Sequence, residues 1–263
     1  MEIIVCSSVA QVGEISAAKV AHVARVVGPG VVIGVATGSS PLATYEQLAK
    51  RVAEGGLDLS VARVFALDEY AGLPIEHPES YYATINRTVT VPLGLDPAQV
   101  NVPDGSMDNL ETAGPRYEQL IRDAGGVDVQ ILGIGSNGHI GFNEPTSSLS
   151  SRTRYKALTP STREDNARFF DSIDQVPTGC VTQGLGTILD SRHAVLVAQG
   201  EGKAQAIAAM VEGPVTAMCP ASVLQMHPDI TVVIDEPAAG LLTMVEYYKY
   251  AYANKPEWQK YDV

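Results

Sequence analysis

The sequence predicts an α/β protein built on an open, mostly parallel, doubly wound sheet with helices on both faces. Three observations carry this. Short β-branched runs alternate with longer stretches of helical period, the pattern of a parallel sheet covered by helices. The chain has 263 residues, 45% of them hydrophobic, with charge interspersed, enough to bury one sizeable core. No repeat period, low-complexity tract or long Pro/Gly linker interrupts it, so a single domain over 1–263 is the simplest organisation.

In chain order, the strand candidates are "EIIVC" (2–6), "GVVIGVA" (30–36), "ARVFAL" (62–67), "VDVQILGI" (127–134), "HAVLVA" (193–198) and "ITVVID" (230–235). Each is a short run of β-branched and other apolar residues. Between and after them lie helix candidates with apolar residues three and four apart: 12–27, 41–56, 79–89, 109–124, 202–213 and 241–252. In such a fold, ligands sit beyond the carboxyl ends of the strands, so the residues found there matter most.

Composition narrows the partners. A formal net charge of -12, with no basic stripe, argues against nucleic acid. An acidic protein still binds a small phosphate where a helix N-terminus and one or two local cations face it. No apolar run approaches the roughly 20 residues that span a bilayer, and the start "MEIIVCSSVA" lacks a secretory pattern. The chain reads as cytoplasmic. Cys6, Cys180 and Cys219 are far apart and odd in number, which fits reduced, buried thiols and neither a disulfide framework nor a zinc cluster.

The first informative strand end is "TGSSP" (37–41), where Gly38 permits a tight turn, Thr37, Ser39 and Ser40 bring hydroxyls, and Pro41 suits the first position of a helix. Such a turn binds phosphate through backbone N–H groups and the helix dipole. The simpler reading makes Ser39 or Ser40 an ordinary N-cap. No Gly-Lys-Ser/Thr follows, which disfavours a nucleotide triphosphatase.

The second strand end is "DEY", with Asp68 and Glu69. Beside a phosphate loop, carboxylates repel the ligand unless one has a chemical task, of which proton abstraction is the natural one. The alternative is a solvated loop pair. His77, before a proline in "IEHPES", reads as a surface residue.

The third is "GIGSNGHIGFNEP" (133–145), whose glycines have the spacing of a dinucleotide-binding turn. That turn needs a helix directly after it, whereas His139, Asn143, Glu144 and a helix-ending Pro145 follow here. The imidazole of His139 exchanges protons near neutral pH and Glu144 is placed to orient it, while Asn137 hydrogen-bonds without titrating. With no second His or Cys at ligand spacing, a metal site is not expected, and the absence of G-x-S-x-G removes a nucleophile elbow.

These residues carry a resemblance. Over nearly its whole length the chain resembles the glucosamine-6-phosphate deaminases of the glucosamine/galactosamine-6-phosphate isomerase family, through "GVATGSSPLATYEQL", "LDEYAGLPIEHPESYY", "NGHIGFNEP", "ARFF", "VPTGCVTQGLGTILD" and "MHPDITVVIDEP". The resemblance implies conversion of glucosamine 6-phosphate and water to fructose 6-phosphate and ammonia in amino-sugar catabolism, with no metal or redox cofactor. It implies that His139, held by Glu144 and Asn137, opens the sugar ring, and that Asp68 moves a proton between neighbouring carbons. Substrate contacts are implied at Thr37, Gly38, Ser39, Ser40, Asp68, Glu69, Gly138 and His139, with Arg168 and Lys203 as phosphate cations. Some family members carry Asp where this chain has Asn137, which would favour the imidazolium more strongly.

The resemblance also implies an allosteric site for N-acetylglucosamine 6-phosphate in "SSLSSRTRYK" (147–156), through Ser147, Arg154 and Lys156, with Tyr247, Tyr248 and Tyr250 as residues that could complete it. Otherwise that stretch is a solvated strand and loop. A homo-oligomer, often a hexamer, is implied as well. Two alternatives remain at this point. A 6-phosphogluconolactonase has similar architecture but needs no carbon proton transfer, and the Asn-Glu-Pro ending at Pro145 speaks against it. A catalytically silent sugar-phosphate sensor would ordinarily carry an added DNA-binding segment, and none is visible.

Overall fold

The computed structural model describes residues 1–261. In chain order the elements are β1 (Glu2–Cys6), α1 (Val9–Val27), β2 (Val32–Val35), α2 (Leu42–Ala53), β3 (Arg63–Ala66), β4 (Asp68–Tyr70), α3 (Tyr81–Ile85), β5 (Val100–Asn101) and α4 (Leu110–Asp123). There follow β6 (Val129–Leu132), β7 (Arg154–Ala157), α5 (Pro160–Asn166), β8 (Gly179–Thr182), α6 (Leu185–Leu189), β9 (His193–Ala198), α7 (Ala204–Val211), β10 (Ile230–Asp235) and α8 (Val245–Ala253).

All six expected strands form, and with β5 they make a seven-stranded sheet in the order β1-β10-β9-β6-β2-β3-β5. Every pairing in it is parallel. Period-two geometry sends neighbouring apolar residues to opposite faces. Ile4, Ile33, Val64, Val195 and Val233 join one core with α1 and α2, while Ile3, Leu132, Leu196, Val232 and Ile234 join another with α6 and α7. Tyr117 and Ile121 of α4 pack on Val32 and Phe65. The three cysteines are unpaired and buried.

Strand order positions the site. From β2 the chain builds outward through β3 and β5, then returns to β6 and builds the other way through β9 and β10. The reversal lies between β2 and β6, the kind of switch point at which open α/β sheets hold their ligands. The loops that follow these strands are "TGSSP" and "GIGSNGHIGFNEP".

Several elements differ from expectation. A second, antiparallel sheet, β4-β8-β7, continues from β3. Its β4 is "DEY" itself, a buried strand and not a solvated loop pair. The expected helix over 79–89 is a five-residue α3 followed by a π-helical turn, Asn86–Thr90. Pro41 stands at the N-cap of α2, one residue earlier than expected, and neither serine before it caps that helix. His77 is half-buried and stacked on Phe170, with ring centroids 6.0 Å apart, and is not simply a surface residue.

Candidate active site

A cavity of about 490 Å³ opens at the switch point, lined by Thr37–Leu42, Asp68, Tyr81, Gly135, His139, Thr162, Arg168 and Lys203 among others. It therefore brings together residues from all three strand ends and two cations from distant segments. Its size suits a small ligand.

Asp68, separated from β3 by Leu67 alone, is the first residue of β4, opposite Thr182 in the antiparallel register. It is 6% exposed. Burial pushes its carboxyl up to about 8, the neighbouring Glu69 charge adds to this, and a hydrogen bond from the Thr182 side chain opposes it. Tyr70 packs against Tyr81, Phe142 and Phe170, and Tyr81 stacks on Phe142. A carboxyl raised toward neutrality is a much stronger base, once ionised, than an ordinary aspartate.

Glu69 takes a different part from the one expected. Its Oε1 accepts from the backbone N–H groups of Tyr70 at 2.8 Å and Tyr81 at 3.0 Å, and its Oε2 accepts from that of Tyr82 at 2.8 Å. It caps α3 and is not among the cavity-lining residues. Alternation along β4 explains the split: successive side chains leave a strand on opposite sides.

The glycines of 133–145 have local reasons unrelated to a dinucleotide. A Cβ on Gly135 would lie 2.3–2.5 Å from the His139 ring, so the imidazole lies over bare backbone. Gly138, at φ +83, meets Cys219 Sγ at 2.7 Å from a Cβ position and does not line the cavity. Gly141, at φ +54, brings the chain against Thr182 and Asp68.

Within this loop, His139 Nδ1 approaches Glu144 Oε2 to 3.6 Å and has no hydrogen-bond partner among the described residues. Asn137 ties the turn together, donating through Nδ2 to Glu144 Oε2 at 2.7 Å and accepting through Oδ1 from the His139 backbone N–H at 3.1 Å. Glu144 Oε1 accepts from the hydroxyls of Thr162 and, at 3.3 Å, Thr159. Burial pushes the Glu144 carboxyl upward, but the facing imidazole, Thr162 and Asn137 outweigh it and hold the group at about 2. The result is an imidazole facing a fixed anion.

In the turn after β2, Gly38 stands at φ +98 with open space where a Cβ would be. Gln199 Nε2 donates to Ser40 O at 3.0 Å and fixes the turn ahead of α2. Arg168 and Lys203 line the same cavity, with the Arg168 guanidinium 4.7 Å from the Phe169 ring centroid. Burial lowers the Lys203 ammonium below its usual range, Asp165 raises it and Arg168 lowers it again. A cation held under partial burial, as Lys203 is, binds an anion more strongly than a solvated one, whereas Arg168 is exposed.

The residues of 147–156 lie nearby but apart from the cavity lining. Ser147 is buried with its hydroxyl unpartnered among the described residues, Lys156 is half-buried, and Arg154 Nη1 donates to Asn143 Oδ1 at 2.7 Å. The C-terminal tyrosines sit elsewhere in the chain. Their helix α8 packs on β1, at one edge of the large sheet, and Tyr248 donates to Glu212 at 3.1 Å.

Sequence reasoning passed over Tyr81, Thr162, Asp165 and Phe170 as site residues. "ESYY" and "ARFF" hinted at aromatic walls, but nothing local to Thr162 shows that it meets Glu144 eighteen residues back.

Fold and cavity together define an α/β enzyme of acid–base type. The profile of a family described as glucosamine-6-phosphate isomerases/6-phosphogluconolactonase matches residues 7–233. The glucosamine-6-phosphate deaminase of Bifidobacterium longum strain DJO10A is 57% identical over 267 residues, covering 98% of each chain. That of Cutibacterium acnes is 59% identical over 251 residues, 95% of each. Among solved structures, a monomeric glucosamine-6-phosphate deaminase superposes with a TM-score of 0.88 at 40% identity, over 92% of this chain and 100% of that one. The 6-phosphogluconolactonase of Trypanosoma cruzi, at 20% identity and a TM-score of 0.72 over 92% and 97% of the two chains, shares the fold. The chain belongs to the glucosamine-6-phosphate isomerase/6-phosphogluconolactonase family.

Proposed function

We propose that the chain is an isomerising deaminase that converts glucosamine 6-phosphate and water to fructose 6-phosphate and ammonia. The observation that carries this choice within the family is the pairing, on one cavity, of a buried carboxylate raised to about 8 with an imidazole facing a glutamate. Lactone hydrolysis needs no base for a carbon proton. An aldose-to-ketose shift does, and needs a separate group to open the ring.

In the reading that fits this geometry, the phosphate rests on Gly38, Ser39 and Ser40 at the start of α2, with Thr37 beside them and Arg168 and Lys203 as cations. His139 takes the proton of the C1 hydroxyl and delivers it to the ring oxygen, so that the C1–O5 bond breaks and an aldehyde forms. Ionised Asp68 then takes the proton from C2 while the aldehyde oxygen gains one, giving an enolamine. Asp68 returns its proton to C1, the nitrogen loses one, and a ketimine remains. Water adds to C2 and ammonia leaves. Glu144 stabilises the imidazolium each time it forms, and Asn137 holds both partners.

Ammonia release from glucosamine 6-phosphate tests the reading directly. Hydrolysis of 6-phosphogluconolactone without ammonia chemistry would make the chain a lactonase instead, and binding of sugar phosphate without turnover would make it a sensor.

Three finer points belong to the same reading. N-acetylglucosamine 6-phosphate is the proposed effector at Ser147, Arg154 and Lys156, supported by the buried hydroxyl of Ser147, which has no hydrogen-bond partner among the described residues. Its addition should change the ammonia rate, and an unchanged rate removes the site. A homo-oligomer, up to a hexamer, is proposed for the quaternary state. The similar solved deaminase is monomeric, which makes light scattering the deciding measurement. Among the described residues no helix is long and apolar enough to cross a membrane, and three unpaired buried thiols support a cytoplasmic setting.

A further inference from the structure

We propose that Asn143 is a positioning residue for the reaction above, fixing the half of the site that opens the ring against the half that moves the carbon proton. Asn143 is fully buried. Its Nδ2 donates to Ile140 O at 2.9 Å and to Gln183 O at 2.8 Å, and its Oδ1 accepts from Arg154 Nη1 at 2.7 Å. Each of these bonds leads to a different part of the site. Ile140 adjoins His139. Gln183 follows β8, where its backbone N–H donates to Leu67 O at 2.7 Å and its Nε2 to Ala66 O at 3.0 Å, the two residues immediately before Asp68. Arg154 opens β7, in register with Thr182 and hence with Asp68 across the small sheet.

A single amide therefore joins the His139 loop, the β3–β4 junction and the far strand of the small sheet. A parallel bond supports the junction, from the Phe142 N–H to Thr182 Oγ1 at 3.1 Å. The chemistry needs such a brace. His139 acts at C1 and O5 while Asp68 acts at C2 and C1, so the two groups must sit at a fixed separation around one small substrate. His139 is carried by the loop after β6 and Asp68 by β4, which continues from β3, and β6 and β3 are not neighbours in the sheet. Asparagine suits the junction because it offers two donors to the carbonyls and one acceptor to the guanidinium. Neither Asp nor Leu offers that set. Fully satisfied buried polar groups of this kind specify one arrangement of the backbone around them.

The inference rests on the deaminase reading, and its test keeps the two apart. Steady-state ammonia release is measured for the wild type, Asn143→Ala and Arg154→Met, each per folded protein and without effector, alongside affinity for glucitol 6-phosphate, an open-chain sugar phosphate without a carbonyl. Asn143→Ala should lower kcat by about 10²-fold, the cost of misplacing a reacting group by about 1 Å, with KM and the glucitol 6-phosphate Kd within about twofold of wild type. Arg154→Met, which removes only the bond to Oδ1, should lower kcat in the same way by about tenfold. A brace that serves stability alone would lower the melting temperature and leave kcat intact, and that result overturns the proposal. So does a rise in KM with kcat unchanged. If Asn143→Ala does not fold, Arg154→Met decides by the same criteria. Lack of ammonia release by the wild type itself would instead refute the deaminase reading.

Discussion

Asn137 and Glu144 are joined by a 2.7 Å hydrogen bond from amide to carboxylate, on the same oxygen that His139 approaches to 3.6 Å. The neutral amide donates where an aspartate would repel. Asn137→Asp should therefore weaken the forces that hold Glu144 at about 2. A carboxyl depressed in the folded state stabilises the protein above its unfolded value near 4.5 and loses that contribution as pH falls toward the folded value. The variant should consequently unfold at higher pH than wild type in an acid titration followed by circular dichroism between pH 5 and about 2. Coincident acid transitions would mean that the amide contributes nothing to Glu144.

Asp68 runs the other way. Its carboxyl is raised from 3.8 to about 8, so the folded state holds the proton more tightly than the unfolded chain. The associated stability is complete below 3.8 and is lost as pH rises through about 8. Asp68→Asn should melt at a higher temperature than wild type, by a margin that widens from pH 4 to 8, while turnover falls by about 10² to 10⁴. In the wild type, kcat/KM should rise with pH up to about 8, since only the ionised carboxylate takes a proton. Near-normal ammonia production by the variant would show that another group is the base.

Phosphate anchoring gives a third expectation. Glucosamine without its phosphate should turn over very poorly, because binding energy at the remote end orients the reacting carbons. Arg168→Ala and Lys203→Ala should each raise KM by about 10- to 100-fold, as expected for one charge-assisted hydrogen bond lost. Comparable kinetics for the sugar and its phosphate would remove the cradle from the turn at 37–41.

A fourth concerns Gly135, whose missing Cβ leaves room for the His139 ring. Gly135→Ala puts a methyl group 2.3–2.5 Å from three ring atoms, and the imidazole must move. Turnover should fall by about 10²-fold with the circular dichroism spectrum unchanged. Wild-type activity in this variant would mean that His139 need not lie where it does.

Local chemistry made much of this legible in sequence. The six apolar runs of the large sheet form where the β-branched pattern puts them, because strands buried on both faces read as near-continuous apolar runs, broken here only by single polar residues such as Gln130 and Thr231. Gly38 turns with positive φ and the helix that follows begins within a residue of expectation. The small sheet was not legible. Strand β7 is "RYKA", polar and with no residue fully buried, and β4 is only three residues long, so neither announces itself by an apolar run.

Sequence by itself determined the doubly wound sheet, the strand ends that carry chemistry, and the residue types present there. Only the tertiary structure decided which of them face one cavity. It turned Asp68 inward to be raised by burial and turned Glu69 away to cap α3, although the two are adjacent. It also set Thr162 on Glu144 and Arg154 on Asn143, contacts 18 and 11 residues apart in the chain. The reason is physical: periodicity, turns and caps depend on neighbours a few residues away, whereas desolvation and charge pairing depend on which strands and loops pack together.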